Sequence, residues 1–228
     1  MNRATAILAL AVLFFAAAPA AAQTHGRSDF SVLGAQTVAP DNDVVYGTFG
    51  WPDVTLGYTH GVARDFDIGA RMQFIYGLEN TTTTQFGMAF AVPLRWTIFR
   101  HENVGLLVHV DPGIRFYTTD PFDFGFQLIP FGLTFEVRPA SHIRLGLGFD
   151  FNSTLLVTGI APPEYLFGPM VGPFFEYHVD QHLAVGLDTR FGAIIDAFSG
   201  HDVDGFHVDG GTSTSFGFRA QMMLAYRL

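Results

Sequence analysis

The sequence predicts an all-β fold: a transmembrane, antiparallel, up-and-down β-barrel of about ten strands, with eight as the alternative, preceded by a signal peptide. Three observations support this prediction. The 228-residue chain is 49% hydrophobic and only 14% charged, whereas soluble domains carry about 25% charged residues. After residue 43, no apolar run approaches the roughly 18 residues of a membrane helix. Apolar residues instead alternate with small or polar ones at a period of two, the spacing of a β-strand.

Composition excludes several classes of site. The chain has no cysteine, which rules out disulfides, thiolate catalysis and cysteine metal sites. Its twelve basic residues are all arginines, and they stand against 21 acidic residues for a net charge of −9. A nucleic-acid partner requires a basic surface, so we expect no such partner.

The first element along the chain is a signal peptide over residues 1–22. Arg3 supplies a positive start, residues 4–18 are apolar, and three alanines before Gln23 form a small-residue cleavage site. The apolar stretch is short for a membrane span, so an N-terminal anchor helix is the less favoured alternative. We therefore expect the protein to be exported.

Alternation then defines the strands. In residues 85–98 the even positions are mostly large and apolar, from Phe86 to Ile98, and the odd positions are small or polar. Similar alternation covers residues 67–78, 104–117, 143–151 and 183–195. A helix would spread these two sets around its whole circumference. The pattern therefore favours strands with one apolar face.

Two features disturb this alternation. Apolar residues occupy even positions up to Leu128 and odd positions from Phe131, which predicts a β-bulge near Ile129 and Pro130. Proline cannot donate to a strand ladder, and five prolines fall inside predicted strands: Pro93, Pro112, Pro130, Pro169 and Pro173. We expect local bulges or lumen water at these positions.

Turn signals alternate between short and long connections. A tight Trp51-Pro52-Asp53 turn joins the first two strands, and further short turns are predicted near residues 62–66, 100–103, 138–141 and 179–181. Longer loops are predicted near residues 79–84, 118–121, 154–164 and 196–212. This gives ten strands with short turns at one end and long loops at the other, the layout of membrane barrels. Because the strand number is even, both chain ends emerge at the short-turn end.

The apolar face is expected to point outward. A barrel of eight to ten strands has an interior nearly filled by its own side chains, and it cannot hold most of the 25 phenylalanines. The alternate face, rich in glycine, alanine, arginine and acids, suits a polar lumen. A closed barrel also satisfies every backbone group in hydrocarbon. Aromatic residues near the short-turn end form an expected interfacial girdle: Tyr58, Trp96, Phe135, Tyr177 and Tyr226.

The last strand carries a family resemblance. In residues 216–228 every even position is apolar, from Phe216 through Tyr226 to Leu228. This segment resembles the terminal strand of bacterial outer-membrane β-barrel proteins, although that family usually ends in phenylalanine. The resemblance implies an outer-membrane location in a Gram-negative bacterium and contact with outer-membrane lipids. It also implies handling by periplasmic chaperones and the barrel assembly machinery during biogenesis. The chain then divides into a signal peptide (1–22), a periplasmic N-terminal arm (23–42) and an outer-membrane barrel (43–228).

Seven arginines and seven acids on the expected inward face form a candidate lumen charge network. They are Asp67, Arg71, Arg95, Asp111, Arg115, Asp123, Glu136, Arg144, Asp150, Glu176, Asp188, Arg190, Arg219 and Arg227. Paired charges that fill the lumen are the favoured interpretation, and an ion pathway is the alternative. Closing the turn at residues 138–142 with Val137 opposite Ile143 would place Glu136 directly across from Arg144.

Other polar clusters are weaker candidates. Three histidines are expected on the inner face near the short-turn mouth, as members of the polar network rather than as a metal site or a pH gate: His142, His178 and His182. Three acids in the last loop offer oxygen ligands for a hard cation: Asp202, Asp204 and Asp209. Their spacing does not complete an EF-hand, and a solvated acidic loop is preferred. We expect no cofactor.

Together these patterns favour a non-enzymatic envelope component of the outer membrane with a narrow, charge-filled lumen. The first alternative is a porin-like channel for ions or small solutes. The second is a lipid-modifying enzyme of the outer leaflet, which would need a serine or aspartate beside an oriented histidine. Strand serines are few and none shares an inward cluster with a histidine, so no catalytic residue is assigned. The sequence specifies no oligomeric state.

Overall fold

The computed structural model describes residues 30–77, 86–118, 123–127, 130–158, 163–198, 201–203, 206–208 and 210–228. The predicted signal peptide, residues 1–22, lies outside these ranges. Within them, no helix is both long and apolar enough to cross a membrane.

Fifteen strands make up the described structure. They are β1 (Asp43–Trp51), β2 (Asp53–Ala63), β3 (Phe66–Ile75), β4 (Gly87–Ala91), β5 (Leu94–His101), β6 (Val104–Val110), β7 (Gly113–Tyr117), β8 (Asp123–Gln127), β9 (Phe131–Ala140), β10 (Ile143–Thr158), β11 (Glu164–His178), β12 (Leu183–Phe198), β13 (His201–Val203), β14 (Phe206–Val208) and β15 (Gly211–Arg227).

These strands form a closed antiparallel barrel with ten strand positions around its wall, as predicted. We call each of these positions a stave. Seven staves are single strands, and three consist of two strands in succession: β4 with β5, β6 with β7, and β8 with β9. β1 pairs with β2 on one side and with β15 on the other, which closes the wall. β13 and β14 pair only with each other, in the connection before β15.

The interruptions lie at three of the five strand prolines. Pro93, Pro112 and Pro130 sit on neighbouring staves, and each carbonyl accepts a backbone N–H from the next stave, at 2.8, 2.9 and 3.0 Å. Each proline lacks the N–H that would continue the ladder. Pro169 and Pro173 lie within β11 and face outward.

The predicted bulge is confirmed by the register. Gln127 pairs with Thr154 and Phe131 pairs with Phe151, so four residue steps on one strand match three on the other. The extra residue returns the apolar side chains to the outer face after the phase change. Residues 128 and 129 themselves lie outside the described ranges.

The barrel carries most of its large apolar side chains outside and most of its charges inside. A smaller apolar cluster of Ile75, Ala89, Tyr117 and Leu156 is buried inside the wall towards the loop end. Leu56, Leu147 and Leu187 are about half exposed on the outer face, whereas Asp67, Glu136 and Glu176 are fully buried in the lumen. This arrangement is the reverse of a soluble barrel.

Two details of the predicted wall are wrong. Residues 154–158 and 211–212, expected in loops, continue β10 and β15, so that four adjacent staves reach 15 to 17 residues. The β9–β10 hairpin places Val137 opposite Leu145 rather than Ile143. The turn has only two residues, and Arg138 and Pro139 form a bulge opposite Arg144. The bulge accommodates a proline that has no N–H to pair.

The predicted N-terminal arm, residues 23–42, is partly enclosed by the wall: residues 30–38 lie inside the barrel, and most of them are buried. We call residues 30–42 the plug.

Candidate functional site: a lumen closed by the N-terminal segment

The plug fills the short-turn end of the lumen. Phe30 and Val38 pack in one apolar cluster with Val44, Ala184 and Ala225, near the ends of β1, β12 and β15. The backbone N–H of Asp41 donates to the carbonyl of Gly61 at 2.9 Å, and β1 begins directly afterwards. The plug therefore enters and leaves through the same mouth as a loop.

Three wall carboxylates bind the plug through its backbone. Glu176 Oε2 accepts the N–H groups of Val32 and Leu33, at 3.2 and 2.8 Å, together with the hydroxyl of Ser31 at 2.9 Å. Glu136 Oε2 accepts the N–H of Ala35 at 2.8 Å, and Asp67 Oδ2 accepts the N–H of Val38 at 2.9 Å. Ionised acceptors make hydrogen bonds roughly twice as strong as neutral ones.

Arginine and threonine side chains bind the plug carbonyls. The Arg95 guanidinium donates to the carbonyls of Ser31, Gly34 and Gln36, at 2.9 to 3.3 Å. Thr97 Oγ1 donates to the carbonyl of Ala35 at 2.8 Å. The wall thus recognises the peptide groups of the plug more than its side chains.

Side-chain contacts complete the seal. Arg144 donates to the Gln36 amide oxygen at 2.9 Å. Gly34 packs so closely that a Cβ there would lie 2.0 Å from Glu136 Oε2 and 2.6 Å from Ser31 Oγ. A side chain at Gly34 therefore cannot enter the lumen without displacing Glu136 or the plug.

A cavity of about 180 Å³ begins at the plug and runs along the barrel towards the loop end. The plug contributes Val32, Leu33 and Gly34 to its lining, and the far end is lined by Ile75 and Gly77. We call this cavity the chamber.

Ion pairs line the chamber. Arg71 lies 3.3 Å from Asp111, and His109 lies between Asp111 and Asp150, at 3.4 and 3.2 Å. Arg190 and Arg219 both contact Asp150 and the neighbouring Asp188. These pairs keep buried charges from standing alone in the barrel interior.

Most of the predicted charge network comes together, but in two groups. Near the plug, Asp67 pairs with Arg95 at 3.7 Å, while Arg144 lies 3.3 Å from Glu136 and 3.8 Å from Glu176. Arg144 is directly across from Glu176, and it reaches Glu136 diagonally rather than in the predicted register. The chamber holds the second group.

Arg115 also lines the chamber, beside the Gln127 amide. Two members of the predicted network lie apart from these groups: Asp123 lies near Glu164, and Arg227 ends β15.

Two further charged residues of the lumen were not among the predicted positions. Arg138, assigned to a turn, lies 3.0 Å from Glu136. Asp53, also assigned to a turn, is buried in the chamber wall and accepts hydrogen bonds from Thr55, Gln73 and Gln221. Arg138 lies two residues after the predicted inward Glu136, and Asp53 lies five residues before the predicted outward Tyr58. Strand alternation could therefore have placed both side chains inside.

The three histidines do not form one cluster. His178 is buried 2.8 Å from Glu176 and packs edge-on against Phe30 of the plug. His142 and His182 instead pack against Tyr177 and Tyr226. Both lie in two-residue to four-residue turns, where strand alternation no longer fixes the side-chain direction.

The cation site predicted in the last loop stays a prediction. The side chains of Asp202, Asp204 and Asp209 lie outside the described ranges. Among the side chains that are described, no group of three or more acids and histidines is placed to hold a metal ion.

The expected girdle residues face outward near the plug end of the wall. Tyr58, Trp96, Phe135 and Tyr226 are 37 to 48% exposed, and Tyr177 is partly exposed. Tyr58 and Tyr226 flank the same residue of β1 in register, on opposite sides.

The four longest strands end together at the loop end of the wall, where Glu164, Asp196 and Asp123 form what we call the acidic rim. On β15, the outer face becomes polar over residues 212–215. Glu164 is level with the start of this polar segment, because it pairs with Phe198, which pairs with Gly211. Burial and the neighbouring carboxylates of Asp196 and Asp123 raise the pKa of Glu164 to about 7. Glu164 therefore changes charge near neutral pH.

No protein-family model matches the chain, and no curated protein matches its sequence. Function is therefore proposed from the fold and the lumen geometry.

Proposed function

We propose that the chain is an integral, non-enzymatic component of a bacterial outer membrane, with its lumen closed at one end by its own N-terminal segment. The observation that carries this proposal is the closed wall with large apolar residues outside and ion pairs inside. An apolar surface of this extent would drive association in water. Hydrocarbon accepts it, because a closed ladder satisfies the backbone.

The orientation follows from the connections. Both ends of the wall, Asp43 and Leu228, lie at the plug end beside the short turns. Barrels of this kind keep short turns on the periplasmic side and long loops outside. We therefore assign the plug end to the periplasm and the acidic rim to the cell exterior.

A non-enzymatic role is supported by two histidines of the lumen. His109 lies between two carboxylates, and His178 lies between Glu176 and Arg144. Both rings are engaged in ion-pair networks rather than oriented towards a hydroxyl.

Fractionation tests the location. The full chain, expressed in a bacterium with an outer membrane, should be recovered in the outer-membrane fraction and should change its gel mobility on boiling. Leu147→Arg should reduce this recovery, whereas the apolar Leu147→Met should not. Recovery of the parent chain as a soluble periplasmic protein would refute the proposal.

Thiol labelling tests the orientation in this cysteine-free chain. Gly205→Cys should react with an impermeant reagent on intact cells, and Asn103→Cys in a short turn should not. The opposite pattern would reverse the assignment.

A further inference from the structure

We propose that the plug is a releasable gate, and that the barrel conducts small hydrated ions of both signs once the plug leaves the lumen. This inference rests on the proposed membrane location and adds an activity to it. The geometry points to it in three ways, through the path of the plug, the wall that it leaves behind and the cavity behind it.

The path of the plug permits withdrawal. Phe30 packs near the ends of β1, β12 and β15, and Asp41 bonds to Gly61 near the end of β2. Because both ends of the loop lie at one mouth, the plug can leave without threading through the barrel. Residues 30–40 carry no charged side chain. Release of the plug therefore separates no buried ion pair.

The plug-binding carboxylates of the wall would keep a charged or histidine partner after the plug leaves. Each plug-binding carboxylate also has a cation or a histidine on the wall. Asp67 lies 3.7 Å from Arg95, Glu136 lies 3.0 Å from Arg138, and Glu176 lies 2.8 Å from His178. A lone buried ion would strongly oppose release, but here every carboxylate keeps a partner while water replaces the peptide groups.

The plug seals the whole circumference of the lumen. It contacts every stave, from Val44 on β1 to Met223 on β15. Next to β15, Leu33 packs against Gly186 on β12, and on the opposite side of the barrel Ala35 lies against Gly105 on β6. Removal of the plug would join the chamber to the periplasmic mouth and leave a gap at least the size of one peptide chain, roughly 5 by 10 Å. Towards the loop end, the path then continues past the apolar cluster of Ile75, Ala89, Tyr117 and Leu156.

The chemistry of this path sets its selectivity. The exposed wall would present acids paired with arginines or a histidine at the plug level and in the chamber. Neither sign of charge dominates, so we expect little preference between small cations and anions.

Planar-bilayer recording of the purified full-length protein in potassium chloride tests the gate. The parent protein should be almost always closed, and a variant lacking residues 30–38 should show steady conductance. A synthetic peptide with the sequence of residues 30–42, added on the side of the bilayer that the short turns face, should close that variant again. Gly34→Val should open the intact chain, because its side chain meets Glu136. Gly47→Val is the matched control, since a Cβ there makes only ordinary contacts, at 3.6 Å or more.

The outcomes separate the two proposals. If the parent protein does not insert into bilayers or outer membranes, the proposed function fails. If the deletion variant inserts, as shown by protection from protease in vesicles, but does not conduct, the gate is overturned and the proposed function stands. Equal conductance of the parent and the deletion variant also overturns the gate. If the deletion does not fold, Gly34→Val against Gly47→Val decides, and equal conductance of these two overturns it.

Discussion

Replacing Glu176 by glutamine should loosen the plug without removing its binding partner. The carboxylate oxygen accepts three hydrogen bonds from the plug, from Ser31, Val32 and Leu33, at 2.8 to 3.2 Å. Hydrogen bonds to a charged group contribute about 1.5–3 kcal/mol and neutral ones about 1 kcal/mol. Glutamine retains an acceptor but not the charge, so about 2–3 kcal/mol of docking free energy should be lost. The fraction of open plug should rise roughly 30- to 140-fold.

A buried cysteine in the plug reports this opening. Val38 is fully buried, and the chain has no other thiol, so Val38→Cys should react with a thiol reagent added at the plug end only when the plug leaves. Adding Glu176→Gln should accelerate this labelling by the factor given above. Asp188→Asn is the matched control, because Asp188 contacts Arg190 and Arg219 in the chamber. Unchanged labelling in the Glu176 variant, or equal acceleration in the Asp188 control, would refute the backbone-recognition account.

Three further results are expected. Glu136→Gln and Arg144→Gln should each lower the free energy of unfolding by about 1–3 kcal/mol, and the double variant should lose less than their sum; a double-mutant cycle with no coupling energy would contradict the contact between them. Leu147→Arg should cost about 2–4 kcal/mol in urea unfolding from vesicles if it lies near the midplane, and a loss no larger than that of Leu147→Met would place it outside the apolar belt. Because the folded-state pKa of Glu164 is raised to about 7 from 4.5, stability should fall as pH rises between these values; Glu164→Gln should flatten this dependence, and an unchanged pH profile would count against the acidic rim.

The wall could be predicted because alternation maps directly onto the two faces of a strand. The same rule located the bulge before Phe131, since one extra residue inverts the parity. It failed for the pairing of the β9–β10 hairpin, where Arg138 and Pro139 share one partner, because alternation gives the facing of a side chain and not its partner across a short turn. It also failed over residues 154–158, where two adjacent leucines, Leu155 and Leu156, break the alternation although the segment extends β10.

The lumen was less predictable than the wall. Parity indicates which charges point inward, but the ion pairs depend on the relative stagger of the strands, and Arg144 contacts Glu176 as well as Glu136 for that reason. The plug left no pattern, because carboxylates and Arg95 bind its backbone. Peptide groups are common to all sequences, so such recognition imposes few side-chain requirements apart from Gly34.

The plug has a consequence for the order of assembly. It is synthesised before every strand of the wall, yet Ser31 bonds to Glu176, 145 residues later, and Ala35 bonds to Glu136, 101 residues later. Such distant partners form slowly because a long chain must be closed first. The nascent barrel therefore passes through a stage in which its first segment is unbound and its interior is hydrated. The lumen is sealed only after β15 has joined the wall, because the plug also packs against Met223 and Ala225.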